Sequence, residues 1–263
     1  MVAAKETIFI TGSLAQTEKL STFALDASEG ALLWRLPRPV SSLFATSAAL
    51  YVGSYRQISA HDLRTGQTLW TASLPLITRN VAYLLVVDNL IYARSSTAHL
   101  LRADTGEVIM NFTEGPLEAT LQKWQIQANP EYFSDFADIT LTQDTKFIRG
   151  VAEFRGDGVR AVDRQTGEIL WQMEDGIISN VAATETVLYL LRRDRRLLGL
   201  DTRTGKVVTS VQFEPSPITS KDVDRGFMGG YYVAVDKEAG RLYAYLGDSA
   251  QLFAFKIVDD AEP

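Results

Sequence analysis

In four copies of one repeated phrase an aspartate stands four residues before a glycine: Asp26 and Gly30, Asp62 and Gly66, Asp163 and Gly167, Asp201 and Gly205. A carboxylate in such a setting can ligate a hard cation, act as a general base, or accept N–H groups of its own turn. Threonine precedes the glycine at Thr65, Thr166 and Thr204, and again at Thr105 before Gly106. Its hydroxyl completes the hydrogen bonding of the turn, so turn support explains these aspartates without a metal. A second acidic group, Asp135, Asp138 and Asp144, lacks the compact alternating spacing of a calcium loop and reads as solvated loop acids. The histidines are His61 and His99, both inside apolar strands, and no His-based metal motif is present. Cysteine is absent, which removes disulfides, thiolate zinc sites and cysteine nucleophiles together. No glycine-rich phosphate loop or nucleophile elbow occurs. Asn111-Phe112-Thr113 is a sequon with meaning only in a eukaryotic secretory setting. The densest charge run is Arg192-Arg193-Asp194-Arg195-Arg196, at an expected hairpin tip; it suits an anion- or partner-binding edge, though a solvated turn is the simpler reading. Arg149, Arg155 and Arg160 could extend that patch. No catalytic, cofactor-binding or metal-binding residue is assigned, and no cofactor is expected.

The elements that position these residues are repeats. Around each Asp–Gly pair runs the same phrase, as in Ala24-Leu25-Asp26 to Gly30 and Trp34, Ala60-His61-Asp62 to Gly66 and Trp70, and Ala161-Val162-Asp163 to Gly167 and Trp171. Weaker copies run from Leu100-Leu101-Arg102 to Gly106 and Met110, and from Gly199-Leu200-Asp201 to Gly205 and Thr209. Three of the four tryptophans thus sit four residues after the repeat glycine. Successive repeat glycines are 36, 40, 61 and 38 residues apart. Three of these steps match one four-stranded propeller blade, about 40 residues. The long step holds one blade and an insertion.

Within a unit, short β-branched and aromatic runs alternate with turns, and no 3.6-residue periodicity competes. The expected fold is therefore all-β: a single propeller domain over 1–263, of four-stranded antiparallel blades, about six in number, with seven or eight if the chain is partial. Loop insertions are expected at about 122–142 and 213–227. The sixth unit ends at Leu252-Phe253-Ala254-Phe255 without its outer strand, and the first unit starts without its inner strand. Trp34, Trp70 and Trp171 are expected to fill the gaps between neighbouring blades.

Hydrophobic residues make up 46% of the 263 and charged ones 22%, enough for a large core. The net charge of −6 argues against nucleic acid as a partner, since phosphate binding needs a basic face. No apolar run reaches membrane-spanning length. The start, Met1-Val2-Ala3-Ala4-Lys5-Glu6, has no secretory leader, so a cytosolic location or a missing leader follows.

The phrase Ala-Leu-Asp-x-x-x-Gly-x-x-Leu-Trp resembles the pyrroloquinoline-quinone-like (PQQ-like) propeller repeat and its tryptophan-docking motif. The likeness runs from about residue 7 to 256. It is specific at Asp26–Trp34, Asp62–Trp70 and Asp163–Trp171, and degraded at Arg102–Met110, Asp201–Thr209 and Lys256, where a repeat Asp is expected. The resemblance implies a quinoprotein alcohol dehydrogenase-like fold and leaves two functions. One is a non-catalytic protein-binding or scaffold propeller, as in the outer-membrane barrel-assembly scaffold lipoprotein branch, presenting loops 122–142 and 213–227 to a protein or polysaccharide. The other is a PQQ- and calcium-dependent dehydrogenase. The enzymatic branch typically has a vicinal disulfide, a calcium site and an Asp base; this chain has no cysteine, and no position matches the rest. A third, weaker expectation is a hydrolase or lyase with a carboxylate-bound axial metal. The family leans towards export, to the periplasm or an outer membrane face.

Overall fold

The computed structural model describes residues 1–12, 21–38, 40–74, 81, 83–87, 89–94, 98–112, 138–149, 158–174, 176–214, 230–247, 249 and 251–257. Among them there are six antiparallel sheets and no helix. Blade 1 is β1 (Val2–Ala4), β2 (Thr7–Gly12), β3 (Ser21–Asp26) and β4 (Leu32–Leu36). Blade 2 is β5 (Ser42–Ala45), β6 (Leu50–Ser54), β7 (Gln57–His61) and β8 (Thr68–Ser73). Blade 3 is β9 (Tyr83–Val87), β10 (Leu90–Arg94), β11 (Ala98–Arg102) and β12 (Val108–Phe112). Blade 4 is β13 (Asp138–Leu141), β14 (Thr145–Arg149), β15 (Val159–Asp163) and β16 (Ile169–Met173). Blade 5 is β17 (Ala182–Ala183), β18 (Val187–Leu191), β19 (Arg196–Asp201) and β20 (Val207–Gln212). Blade 6 is β21 (Tyr232–Asp236), β22 (Arg241–Leu246) and β23 (Gln251–Lys256). In each sheet the strands pair in sequence order. This is a six-bladed β-propeller.

Two expectations change. The first blade does have its inner strand: Val2–Ala4 pairs with Thr7–Phe9. Three residues suffice because this strand pairs on one side only. The expected loop 122–142 ends earlier than its bound, since Asp138–Leu141 is the inner strand of blade 4. Residues 122–137 and 215–227 lie outside the described residues. Phe213, at the start of the second expected loop, is buried against blade 6.

The chain divides into two compact units, Met1–Pro37 with Ala137–Pro263, and Arg38–Phe136. In the first, Phe147, Val159, Ala161, Leu188, Leu190, Leu198 and Leu200 form the core between blades 4 and 5. Tyr189, Leu191, Leu197, Val233, Leu242 and Ala244 do the same between blades 5 and 6. In the second unit Tyr51, Ile58, Ala60, Leu84, Ile91 and Leu101 join blades 2 and 3. Middle strands are covered on both faces, so they read as unbroken apolar runs: Leu50–Ser54 is buried throughout. Outer strands are not, and Val207–Gln212 is mostly exposed.

Inner strands have a free edge towards the axis, and side chains supply bonds that a ladder would have made. Ser41 and Ser42 Oγ donate to the Val81 carbonyl at 2.7 and 2.8 Å. Thr140 Oγ1 donates to the Val181 carbonyl at 3.2 Å. Asn180 works as a backbone mimic: its Nδ2 donates to the Val233 carbonyl at 2.8 Å and its Oδ1 accepts the Val233 N–H at 2.9 Å. Between blades 6 and 1, buried Asp236 accepts the Glu6 N–H at 2.7 Å. That bond holds the two-residue turn Lys5-Glu6, where both residues have positive φ (47° and 58°). Such a turn matches strand twist but strains side chains other than glycine.

Candidate binding surface

The repeat carboxylates are consumed by their turns. Asp62 Oδ1 accepts the Arg64 and Thr65 N–H groups and the Thr65 hydroxyl at 2.8–3.1 Å. Asp26, Asp163 and Asp201 repeat the arrangement with Ser28 and Glu29, Gln165 and Thr166, and Arg203 and Thr204. The threonine hydroxyls accept the next N–H, as from Gln67, Glu107, Glu168 and Lys206. The N–H and O–H bonds of Thr65 and Thr204 pull the Asp62 and Asp201 carboxyls below the usual range. Among the described residues no group of three His, Asp or Glu side chains could hold a metal. Asp138 opens the strand Asp138–Leu141, Asp144 lies in the turn before Thr145–Arg149, and Asp135 lies outside the described residues.

Both histidines are buried and engaged. His61 Nε2 lies 2.9 Å from Ser59 Oγ and 3.3 Å from the Arg38 guanidinium, and Nδ1 lies 3.2 Å from the Gly66 carbonyl. Arg38 also donates to Gln57 at 2.9 Å and to Ser59. Burial, and then the Arg38 charge, push the His61 imidazole down, and burial does the same to His99, whose Nδ1 meets Asn111 Oδ1 at 2.5 Å. Sequence reasoning left Arg38 out, because only the fold carries it back across β7. Each histidine is buried within its own blade, and Arg38 beside His61 is half-buried.

The surface offers two kinds of end. At one, the short turns joining first and second strands interlock: Glu185 accepts the Gln143 N–H at 2.6 Å and pairs with Lys237 at 2.6 Å. At the other lie the turns joining second and third strands, and in Ala137–Pro263 the strand ends on either side of residues 215–229. There Arg192–Arg196 turns a hairpin with Arg195 at φ 61°. Arg149 and Arg160 end the neighbouring pair β14–β15 on the same side, while Arg155 lies outside the described residues. Asp194 faces Arg196 at 3.9 Å on open surface.

The tryptophans are the repeat's other product. In each complete blade the outer strand carries a β-bulge at the residue just before the tryptophan position, so Ala24, Ala60 and Ala161 pair with Trp34, Trp70 and Trp171. Trp70 Nε1 donates to the Ala103 carbonyl at 3.0 Å, in the Asp–Gly-type turn of the next blade, and Trp171 Nε1 to the Thr202 carbonyl at 2.9 Å. The ring lies flat on that turn's glycine. A Cβ on Gly205 would stand 2.7 Å from Trp171 Cδ2, and one on Gly106 2.7 Å from Trp70 Cδ2.

Trp70 and Trp171 thus dock on the glycine turn of the following repeat, and a family's sequence model, described as outer membrane protein assembly factor BamB, matches residues 3–140 and 155–253. The chain belongs to the BamB family. A search of curated protein sequences finds no match. Among solved structures, BamB from Moraxella catarrhalis aligns at 18% identity over 97% of this chain and 71% of that one, with a TM-score of 0.44. The computationally designed Ika8 protein aligns at 14% identity over 97% and 70%, with a TM-score of 0.43. The β-propeller domain of Cps50 (Swd1) from Myceliophteria thermophila aligns at 10% identity over 96% of this chain and all (100%) of that one, with a TM-score of 0.61. That last likeness is one of fold. Membership of a fold family carries no cofactor with it, and a cofactor has to be argued from a site. No helix of the described residues is long and apolar enough to cross a membrane.

Proposed function

We propose that this chain is a single-domain, non-catalytic propeller that binds protein partners as a scaffold, on the periplasmic or outer face of a membrane. The observation that carries the reading is the family match over residues 3–140 and 155–253, to a family described by an outer membrane assembly factor. The chemistry of the repeat supports it. Each repeat Asp is held by N–H groups of its own turn, and both histidines are buried in hydrogen bonds. The ends of strands near the expected loops would form the contact surface, with Arg192–Arg196 at its rim.

The test is capture of partners from the native organism by the whole chain and by a variant lacking residues 122–136, with circular dichroism to check that the variant folds. Loss of a partner by the folded variant supports the reading. Unchanged capture overturns the role given to that loop. A saturable absorbance and melting shift on adding pyrroloquinoline quinone with calcium would overturn the non-catalytic assignment. Fractionation of the native cells checks the location.

A further inference from the structure

Each outer strand leaves one backbone edge without a ladder partner among the described residues. Such an edge invites pairing with another chain unless charge, proline or twist blunts it. In the unit formed by Met1–Pro37 with Ala137–Pro263, β4 carries Arg35 within it, and β16 runs between Glu168 and Glu174. The strand β20, Val207–Gln212, has no such guard. Val-Val-Thr-Ser-Val-Gln contains no charge and no proline, and four of its six residues are β-branched, which suits a flat extended edge. It is also open to solvent: Val207 is 56% and Val208 57% exposed, and Thr209, Ser210 and Gln212 are exposed beside them.

The edge has a defined register. The Phe213 N–H donates to the Arg195 carbonyl at 3.1 Å, and Val211 and Thr209 face Leu197 and Gly199 in the same ladder. Alternate residues of an antiparallel strand serve one neighbour, so Ser210 and Gln212 turn their N–H and C=O groups outward. A second copy of β20, laid antiparallel about Ser210, sets Ser210 against Ser210, Val208 against Gln212 and Thr209 against Val211. It also sets Lys206 against Glu214 at both ends of the pair. Both of these residues are exposed, and neither has an ion-pair partner among the described residues. A centre at Thr209 sets Lys206 against Gln212, and one at Val211 sets Glu214 against Val208, so of these three the Ser210 centre alone pairs both charges. The same operation on β16, about Trp171, sets Glu168 against Glu174 and is repulsive.

We propose that β20 is the contact of a two-fold homodimer, in which two copies of this chain join edge to edge and their fifth blades form one continuous antiparallel sheet. The backbone groups of Ser210 and Gln212 supply the bonds across the axis, and the two Lys206–Glu214 pairs fix the register. Strands this short cover less than the roughly 1,600 Å² of a standard interface, so the dimer is weak and forms as concentration rises. The inference goes beyond the partner-binding reading and does not rest on it. Deletion of residues 122–136 removes none of β20, so either can fail alone.

The test is sedimentation velocity of the whole chain over a concentration series, from which the monomer–dimer constant is fitted. Lys206→Glu sets like charges at both ends of the pair and should weaken association at least about tenfold, given that about 1.4 kcal/mol is tenfold. Glu214→Lys should do the same. The double variant, Lys206→Glu with Glu214→Lys, exchanges the signs and should recover the original constant to within about threefold, a rescue that no effect on folding alone would produce. Ser210→Pro removes an outward N–H and no bond to β19, so it should abolish the dimer while circular dichroism shows the fold kept. Amide exchange at Ser210 and Gln212 should be fast in dilute solution and slow when concentrated. A monomer at every concentration, no rescue by the double variant, a dimer in folded Ser210→Pro, or an edge protected at every dilution would each overturn the proposal. So would protection that appears only on adding another protein.

Discussion

Gly205→Ala and Gly30→Ala form a pair that isolates the worth of one docked tryptophan. Both glycines have φ 69° and close the same turn. Alanine in the left-handed region costs about 1–2 kcal/mol at either place. At Gly30 that is the whole effect, because the new methyl meets open space. At Gly205 the methyl would stand 2.7 Å from Trp171 Cδ2 and 2.8 Å from Cγ, so the indole has to lift. Lifting it breaks the Nε1–Thr202 bond, worth about 1 kcal/mol. It also re-exposes something like 50 Å² of apolar surface, about 1 kcal/mol at 25 cal/mol per Å². Gly205→Ala should therefore destabilise by about 2 kcal/mol more than Gly30→Ala. With a urea slope of about 3 kcal/mol per molar, its midpoint should fall roughly 0.7 M further. Urea titration followed by circular dichroism gives both midpoints, and tryptophan emission should shift to the red in the native state of Gly205→Ala alone. Equal midpoints would show that the ring contributes nothing at the seam, and the argument for stacked blades held by indoles would fail.

Acid should weaken the fold through its two histidines. Burial holds His61 and His99 below the ordinary value near 6.5, so both are neutral in the native state and take up protons more readily when unfolded. The stability they confer is complete above pH 6.5 and declines below it, by up to about 1.4 kcal/mol per pH unit for each. Melting temperatures between pH 7.5 and 5 should show the slope, and His61→Gln or His99→Gln should flatten it. Arg38→Met removes the cation beside His61 and should raise the His61 titration midpoint seen by imidazole NMR. Asp236→Ala leaves the Glu6 and Ala239 N–H groups without an acceptor, a loss of about 2–3 kcal/mol. It should speed amide exchange in residues 2–7 before other strands, and uniform exchange across the blades would argue against Asp236 as the tie between the sixth blade and the first.

Much of the architecture was legible because a blade is a local object. The Asp–Gly turn carries its own chemistry within six residues, so Asp62, Thr65 and Gly66 could be assigned from spacing and are found bonded as assigned. The strands Leu50–Ser54 and Val187–Leu191 announced themselves as apolar runs for the same reason. What stayed hidden was non-local. The three residues Val2–Ala4 are too short to signal a strand, and only pairing with Thr7–Phe9 makes them one. Asn180 and Asp236 look like ordinary turn residues, and each matters because of a backbone group 53 or 230 positions away. Arg38 follows an outer strand, and its place beside His61 depends on blade 2 folding back.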